Sequence, residues 1–130
     1  MIAPELEERL IAEAARSRGN AVSNRSGFAV GAAIETEDGT IYGGCNIENA
    51  TYGLTVCAER VAIWKALSEG VRKFRAVAVV TGAEAPTPPC GACRQILWEF
   101  AGDVPVVSAT VRGARKTYRM SDLLPEPFEF

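Results

Sequence analysis

The chain has 130 residues, 48% of them hydrophobic and 23% charged, an ordinary globular composition that suits one domain over residues 1–130 and excludes a disordered or fibrous chain. Fourteen basic residues stand against sixteen acidic ones, a net charge of −2, so no excess positive field is available to hold a nucleic-acid polymer. No apolar run is long enough to span a bilayer, and the start Met1-Ile2-Ala3-Pro4-Glu5 lacks the basic and apolar segments of a secretion signal, so the expected location is the cytoplasm, away from membranes.

Residues 4–18 read as a helix. Pro4 suits its first turn, Glu5, Glu7 and Glu8 complement the positive end of the dipole, Leu6, Leu10, Ile11 and Ala14 form one apolar stripe, and Gly19 stops it. Residues 28–35 and 40–45 read as strands around Glu37-Asp38-Gly39, a hairpin signal. A second helix is expected over 56–69, ended by Gly70, and a buried strand over 76–80. A third helix over 90–100 stops at Gly102, followed by a buried strand over 104–109 and a last strand over 115–120. Ser121 is expected to cap a short turn before Pro125. This order describes an α/β fold, a mixed sheet with helices on its faces. The second and third helices each follow a strand. Right-handed crossovers therefore bring their N-termini to one edge, beyond the carboxyl ends of the strands, where open α/β sheets bind ligands.

There are four cysteines, Cys45, Cys57, Cys90 and Cys93, and no histidine. Any acid–base chemistry then falls to a carboxylate, and any metal must be held by thiolates. In a reducing compartment these cysteines need a reason other than disulfides. Pro89-Cys90-Gly91-Ala92-Cys93 puts two sulfurs on one face of a first helical turn, and alone this reads equally as a redox pair, half a structural zinc site or two small core residues. Cys57, expected at the same edge, makes a third. Three thiolates match tetrahedral Zn²⁺ with one position open, the pattern of catalytic rather than structural sites. Cys45 ends the second hairpin strand and is either a fourth ligand or, the favoured reading, a buried core cysteine. Glu59 is either an acid placed for the helix dipole or a proton carrier beside the metal. Arg60 and Arg94 are either exposed helix arginines or cations that offset the net charge of three thiolates on a divalent ion. Trp64 and Trp98 read as packing residues.

Cys57-Ala58-Glu59-Arg60 followed by Pro89-Cys90-Gly91-Ala92-Cys93-Arg94-Gln95 resembles the zinc-dependent cytidine deaminase signature in its small, homotetrameric three-cysteine form. Ser26-Gly27-Phe28-Ala29-Val30-Gly31-Ala32-Ala33 is similar to the family's first strand, and Gly44-Cys45-Asn46-Ile47-Glu48-Asn49-Ala50 to its ribose-binding segment. Leu123-Leu124-Pro125 with Phe128 is similar to its C-terminal stretch. The resemblance implies a three-layer α/β/α sandwich with a mixed five-stranded sheet. It implies Zn²⁺ on Cys57, Cys90 and Cys93, Glu59 as proton shuttle, Phe28 against the pyrimidine, and Asn46 and Glu48 on the ribose 3′-hydroxyl. It also implies Ala50 and Tyr52 on the 5′ side of a nucleoside, in a homotetramer with shared active sites. From the residues alone, Phe28 reads as strand core, and Asn46 and Asn49 as turn residues.

The reaction so implied is hydrolytic deamination of cytidine and 2′-deoxycytidine to uridine and 2′-deoxyuridine plus ammonia, in pyrimidine salvage. Water activated by zinc would attack C4, with the carbonyls of Thr55 and Val56 as candidate acceptors for the leaving amine. Two departures from the family's pattern stand out. Asn24-Arg25 occupy the place where the family commonly has Pro-Tyr, an extra cation at the pocket rim, and the chain ends soon after Phe128. Three other classes compete: a redox or structural-zinc module, a polymer-editing deaminase, and a deaminase of a modified cytosine nucleoside or nucleoside antibiotic such as blasticidin S.

Overall fold

Pro4 in the first turn, Glu5 and Glu7 beside it and Arg16 and Arg18 in the last turn delimit helix α1, Pro4–Arg18, in the computed structural model, which describes residues 1–129. Strands β1 (Val30–Thr36) and β2 (Ile41–Cys45) form the expected hairpin. Its turn is held by Asp38, whose Oδ1 accepts from Thr36 Oγ1 (2.5 Å) and Thr40 N (3.0 Å). Gly39 supplies the φ of +91° that the turn requires. A 3₁₀ turn at Tyr52–Leu54 precedes α2 (Ala58–Ser68) and β3 (Phe74–Thr81). Then come α3 (Gly91–Ala101), β4 (Pro105–Thr110), β5 (Arg115–Arg119) and the short α4 (Met120–Leu123).

The five strands lie in the order β2-β1-β3-β4-β5, with β3 and β4 parallel and the other neighbours antiparallel. Alternation along β3 assigns its side chains to two layers. Ala76, Ala78 and Val80 face α1, where they pack with Leu10, Ala14, Ala33 and Val107. Val77 and Val79 face the other way, against Ala62, Ile63, Leu97 and Met120 of α2, α3 and α4. The mixed sheet between α1 and the α2/α3 layer is thus the three-layer sandwich expected above. Because β2 and β3 both run antiparallel to β1, they point the same way, and the helices that follow them start at the same edge. Among the described residues no helix is long and apolar enough to cross a membrane.

One expectation at the C-terminus fails. Ser121 lies inside α4, whose N-cap is Arg119; Asp122 accepts from the Arg119 N–H at 3.2 Å. Ser121 instead donates through N and Oγ to Asp103 in the α3–β4 loop, at 2.8 and 3.1 Å. A long-range partner outcompeted the local cap.

Two close approaches set where the helices sit. A Cβ on Gly31 would stand 1.9 Å from the Ala14 carbonyl oxygen of α1, and one on Gly44 would stand 2.6 Å from both Ala58 O and Ala62 N of α2. Both obstacles are backbone and cannot swing aside. Gly44→Ala is therefore expected to push α2 off the sheet, lowering stability by about 1–3 kcal/mol in urea unfolding and weakening the hold on whatever the α2 N-terminus binds. A stability within about 0.5 kcal/mol of the parent would show that the helix accommodates the methyl group freely.

Candidate active site

The edge where α2 and α3 begin carries the thiols. Cys57 is the N-cap residue of α2 and Cys90 that of α3, while Cys93 lies one turn into α3 and is buried. The Cys90 sulfur accepts from the Cys93 N–H at 3.5 Å, so the cap geometry itself turns this sulfur over the helix end. Cys57 Sγ and Cys90 Sγ are 3.8 Å apart, and all three sulfurs lie within 4.8 Å of one another. A tetrahedron with Zn–S arms of about 2.3 Å has edges of about 3.8 Å, so the donor set fits zinc in both chemistry and size. Cys45 is outside this cluster and half-buried rather than part of the core, correcting the expectation of full burial: it lies on the edge strand β2.

Sharing of protons within the cluster is uneven. The neighbouring Cys93 thiol and then the Arg60 guanidinium hold Cys57 down at about 5. Cys93 is pushed up by its hydrogen bond to Cys57 and by burial. Arg60 Nη2 donates to Cys57 Sγ at 3.3 Å, which places a cation beside that sulfur. Arg94 does something else. Its Nε donates to Pro89 O (2.7 Å) and its Nη1 to Leu123 O (2.9 Å), so it ties the α3 N-terminus to α4 and makes no hydrogen bond to a sulfur. Trp98 is partly buried on the core, but Trp64 is 44% exposed and carries the Arg60 guanidinium 5.9 Å from its ring centroid, so it orients the cation rather than packing the interior.

Glu59, in the first turn of α2, is only 5% exposed. Burial raises its carboxyl to about 7, and the adjacent Cys57 charge adds to the effect. An acid next to, but not among, the three sulfurs is placed to exchange a proton near neutrality.

A short backbone ladder brings a second set of residues to this edge. Val22 pairs with Ile47, and Ile47 with Val56, immediately before Cys57. The Val56 carbonyl accepts from the Ile47 N–H at 3.0 Å. Asn46 is buried, and its amide accepts from Val30 N (2.9 Å) and donates to Phe28 O (2.8 Å). Asn49 accepts from Thr51 N, a turn contact of the kind its residue type suggests. Glu48 accepts from Arg25 N (2.9 Å), Ser26 N (3.0 Å) and Ser26 Oγ (2.5 Å), and the Ser26 hydroxyl in particular holds its carboxyl below the usual range. Phe28 is 40% exposed, so the strand-core reading fails and the ring is presented at the surface. Arg25, Ser26, Glu48, Tyr52 and Thr55 line an open cleft of about 400 Å³. Ala50 is exposed in the loop that leads to Tyr52.

Residues 4–110 match the family model described as the cytidine and deoxycytidylate deaminase zinc-binding region. The chain belongs to the cytidine deaminase family. It is 51% identical over 122 residues to cytidine deaminase from Sporosarcina psychrophila, covering 93% of this chain and 90% of that one. Against the crystal structure of cytidine deaminase from Burkholderia pseudomallei the TM-score is 0.90 at 44% identity, covering 93% of this chain and 98% of the other. Blasticidin-S deaminase from Bacillus cereus is a more distant and partial relative, 35% identical over 82 residues, 57% of this chain and 59% of that one. Zinc is the metal of the family's matched region, and the three thiols of this cytidine deaminase family member are positioned to take it. The feature that sequence reading missed is the triple hold on Glu48 by Arg25 and Ser26. A serine two residues before Phe28 was the available signal, because Ser side chains often bond the N–H two positions on.

Proposed function

We propose that this chain is a zinc-dependent deaminase that hydrolyses cytidine and 2′-deoxycytidine to uridine and 2′-deoxyuridine, releasing ammonia, as in pyrimidine salvage. The observation that carries the reading is a three-sulfur cluster of tetrahedral size with a buried carboxylate, Glu59, in the first turn of α2, and an open cleft of about 400 Å³ lined by Glu48, Tyr52 and Thr55.

Cys57, Cys90 and Cys93 would hold the metal, which when bound would supply a nucleophilic water at neutral pH. Glu59 would deliver a proton to N3 of the pyrimidine and carry a second to the exocyclic nitrogen as the ring carbon is attacked, so that the amino group leaves as ammonia. Arg60 compensates the negative charge of the sulfurs and keeps the site from becoming too electron-rich to acidify water. Phe28 packs on the base, Asn46 and Glu48 meet the sugar hydroxyl, and Ala50 and Tyr52 flank the 5′ side. Arg94 supports the site as a clamp on the α3 N-terminus.

Tyr52 and Leu54, at the cleft, are 71% and 72% exposed, large apolar side chains left open to solvent. This supports a homotetramer in which neighbouring copies complete each site, and light scattering is expected to return about four times the chain mass. Free thiols at the site support a reducing, cytoplasmic setting.

The test is loss of the cytidine ultraviolet band on addition of purified protein, with zinc counted on the same sample. Rapid loss for cytidine and deoxycytidine with about one zinc per chain is expected from the three-ligand geometry. Zinc without turnover would overturn the substrate assignment. A panel of modified cytosines, blasticidin S included, tests the second reading, on which the Arg25 side chain at the cleft wall bears.

A further inference from the structure

We infer that Ser26 is a positioning residue that couples recognition of the sugar to placement of the aromatic ring on the base. The inference rests on the reading above, in which Glu48 meets the sugar and Phe28 the pyrimidine.

Its basis is a directional chain of hydrogen bonds. Glu48, ionised, can only accept, so the single hydroxyl proton of Ser26 goes to Glu48 Oε2, 2.5 Å away. That leaves a lone pair of Ser26 Oγ for the Phe28 N–H, which donates to it at 3.0 Å. Phe28 O is held from the other side by Asn46 Nδ2 at 2.8 Å. Both polar backbone groups of Phe28 are therefore gripped by side chains, one directly by Asn46 and one by Glu48 through Ser26.

The grip matters because little else positions this ring. Phe28 precedes β1, is 40% exposed, and follows Gly27, which takes a φ of +70°. A carboxylate offers about four acceptor positions. Arg25 N, Ser26 N and Ser26 Oγ fill three, which leaves room for one sugar hydroxyl. A hydroxyl in that fourth position keeps Glu48 seated, and Ser26 transmits the seating to the ring. A nucleoside lacking the hydroxyl loses a hydrogen bond and also the fixed ring.

The experiment is steady-state kinetics with cytidine and 3′-deoxycytidine for the zinc-loaded parent, Ser26→Ala, Ser26→Thr, Phe28→Leu and the Ser26→Ala/Phe28→Leu double variant. Ser26→Ala is expected to raise KM for cytidine about tenfold, the size of one hydrogen bond to a charged group, with kcat much less affected. It is expected to shrink the preference for cytidine over 3′-deoxycytidine, and Ser26→Thr, which keeps the hydroxyl, to restore both. Phe28→Leu should weaken cytidine use less in the Ser26→Ala background than in the parent, since an untethered ring has less left to lose. Ser26 is exposed, so melting temperature and zinc content are expected to stay at parent values. Additive effects of the two substitutions, or parent-like kinetics of Ser26→Ala, overturn the coupling while leaving the substrate reading intact. A parent enzyme that turns over both nucleosides equally removes the sugar reading itself, and the coupling with it.

Discussion

Glu59→Gln is expected to retain about one zinc per chain and to lower kcat for cytidine by roughly a thousandfold, within the range that a positioned general acid–base group contributes. The cluster of donors consists of three sulfurs, and Glu59 is not one of them, so its replacement leaves the metal site whole. Glutamine has nearly the same volume and fits the same buried space, where only 5% of Glu59 is exposed. It loses less hydration than a carboxylate on burial, so the melting temperature is not expected to fall. What glutamine cannot do is the proton carriage proposed for Glu59. Activity assays paired with metal analysis decide the matter. Turnover near the parent level would remove Glu59 from the proton path, and loss of zinc would make it a ligand.

Cys93→Ala, by contrast, is expected to lose both zinc and turnover, whereas Cys45→Ala keeps zinc and stays within about twofold of parent activity, the range of a substitution away from special features. Cys93 is fully buried among the other two sulfurs, and its loss leaves two thiolates from two helices to hold the ion. A metal present at a thousand times its dissociation constant stabilises the folded chain by about 4 kcal/mol. Its absence should then lower the melting temperature by on the order of 10 °C, read by scanning calorimetry. The apoprotein of the parent, prepared with a chelator, should melt near the Cys93→Ala variant. If Cys45→Ala also lost its zinc, the site would be a closed four-sulfur one with no position for water.

Much of this arrangement was legible in one dimension. Pro4, Gly19 and the apolar stripe bounded α1 because helix ends and faces are local properties. The uninterrupted apolar run of β3 announced a strand covered on both sides, as Ala78 and Val79 on opposite faces bear out. Cys57 and Cys90 could be brought to one edge in advance because crossover handedness is nearly invariant, and the 3.8 Å between their sulfurs agrees.

Other features were outside the reach of pattern. Ser121 looked like a local cap and found Asp103 instead, and Arg94 looked like a counter-charge and found two carbonyls. Trp64 looked like a packing residue and lies under Arg60. In each case the side chain type was read correctly, but its partner was chosen by segments distant in sequence.

The order of elements, the two cysteines at helix starts and the acid beside one of them follow from the sequence alone, because periodicity and crossover hand depend on neighbouring residues and on chirality. The size of the sulfur triangle, the burial of Glu59 and the chain of bonds from Glu48 through Ser26 to Phe28 were decided only by tertiary structure. They depend on how closely Gly44 lets α2 approach the sheet and on the pairing of Ile47 with Val22 and Val56, contacts that exist only once the chain has closed on itself.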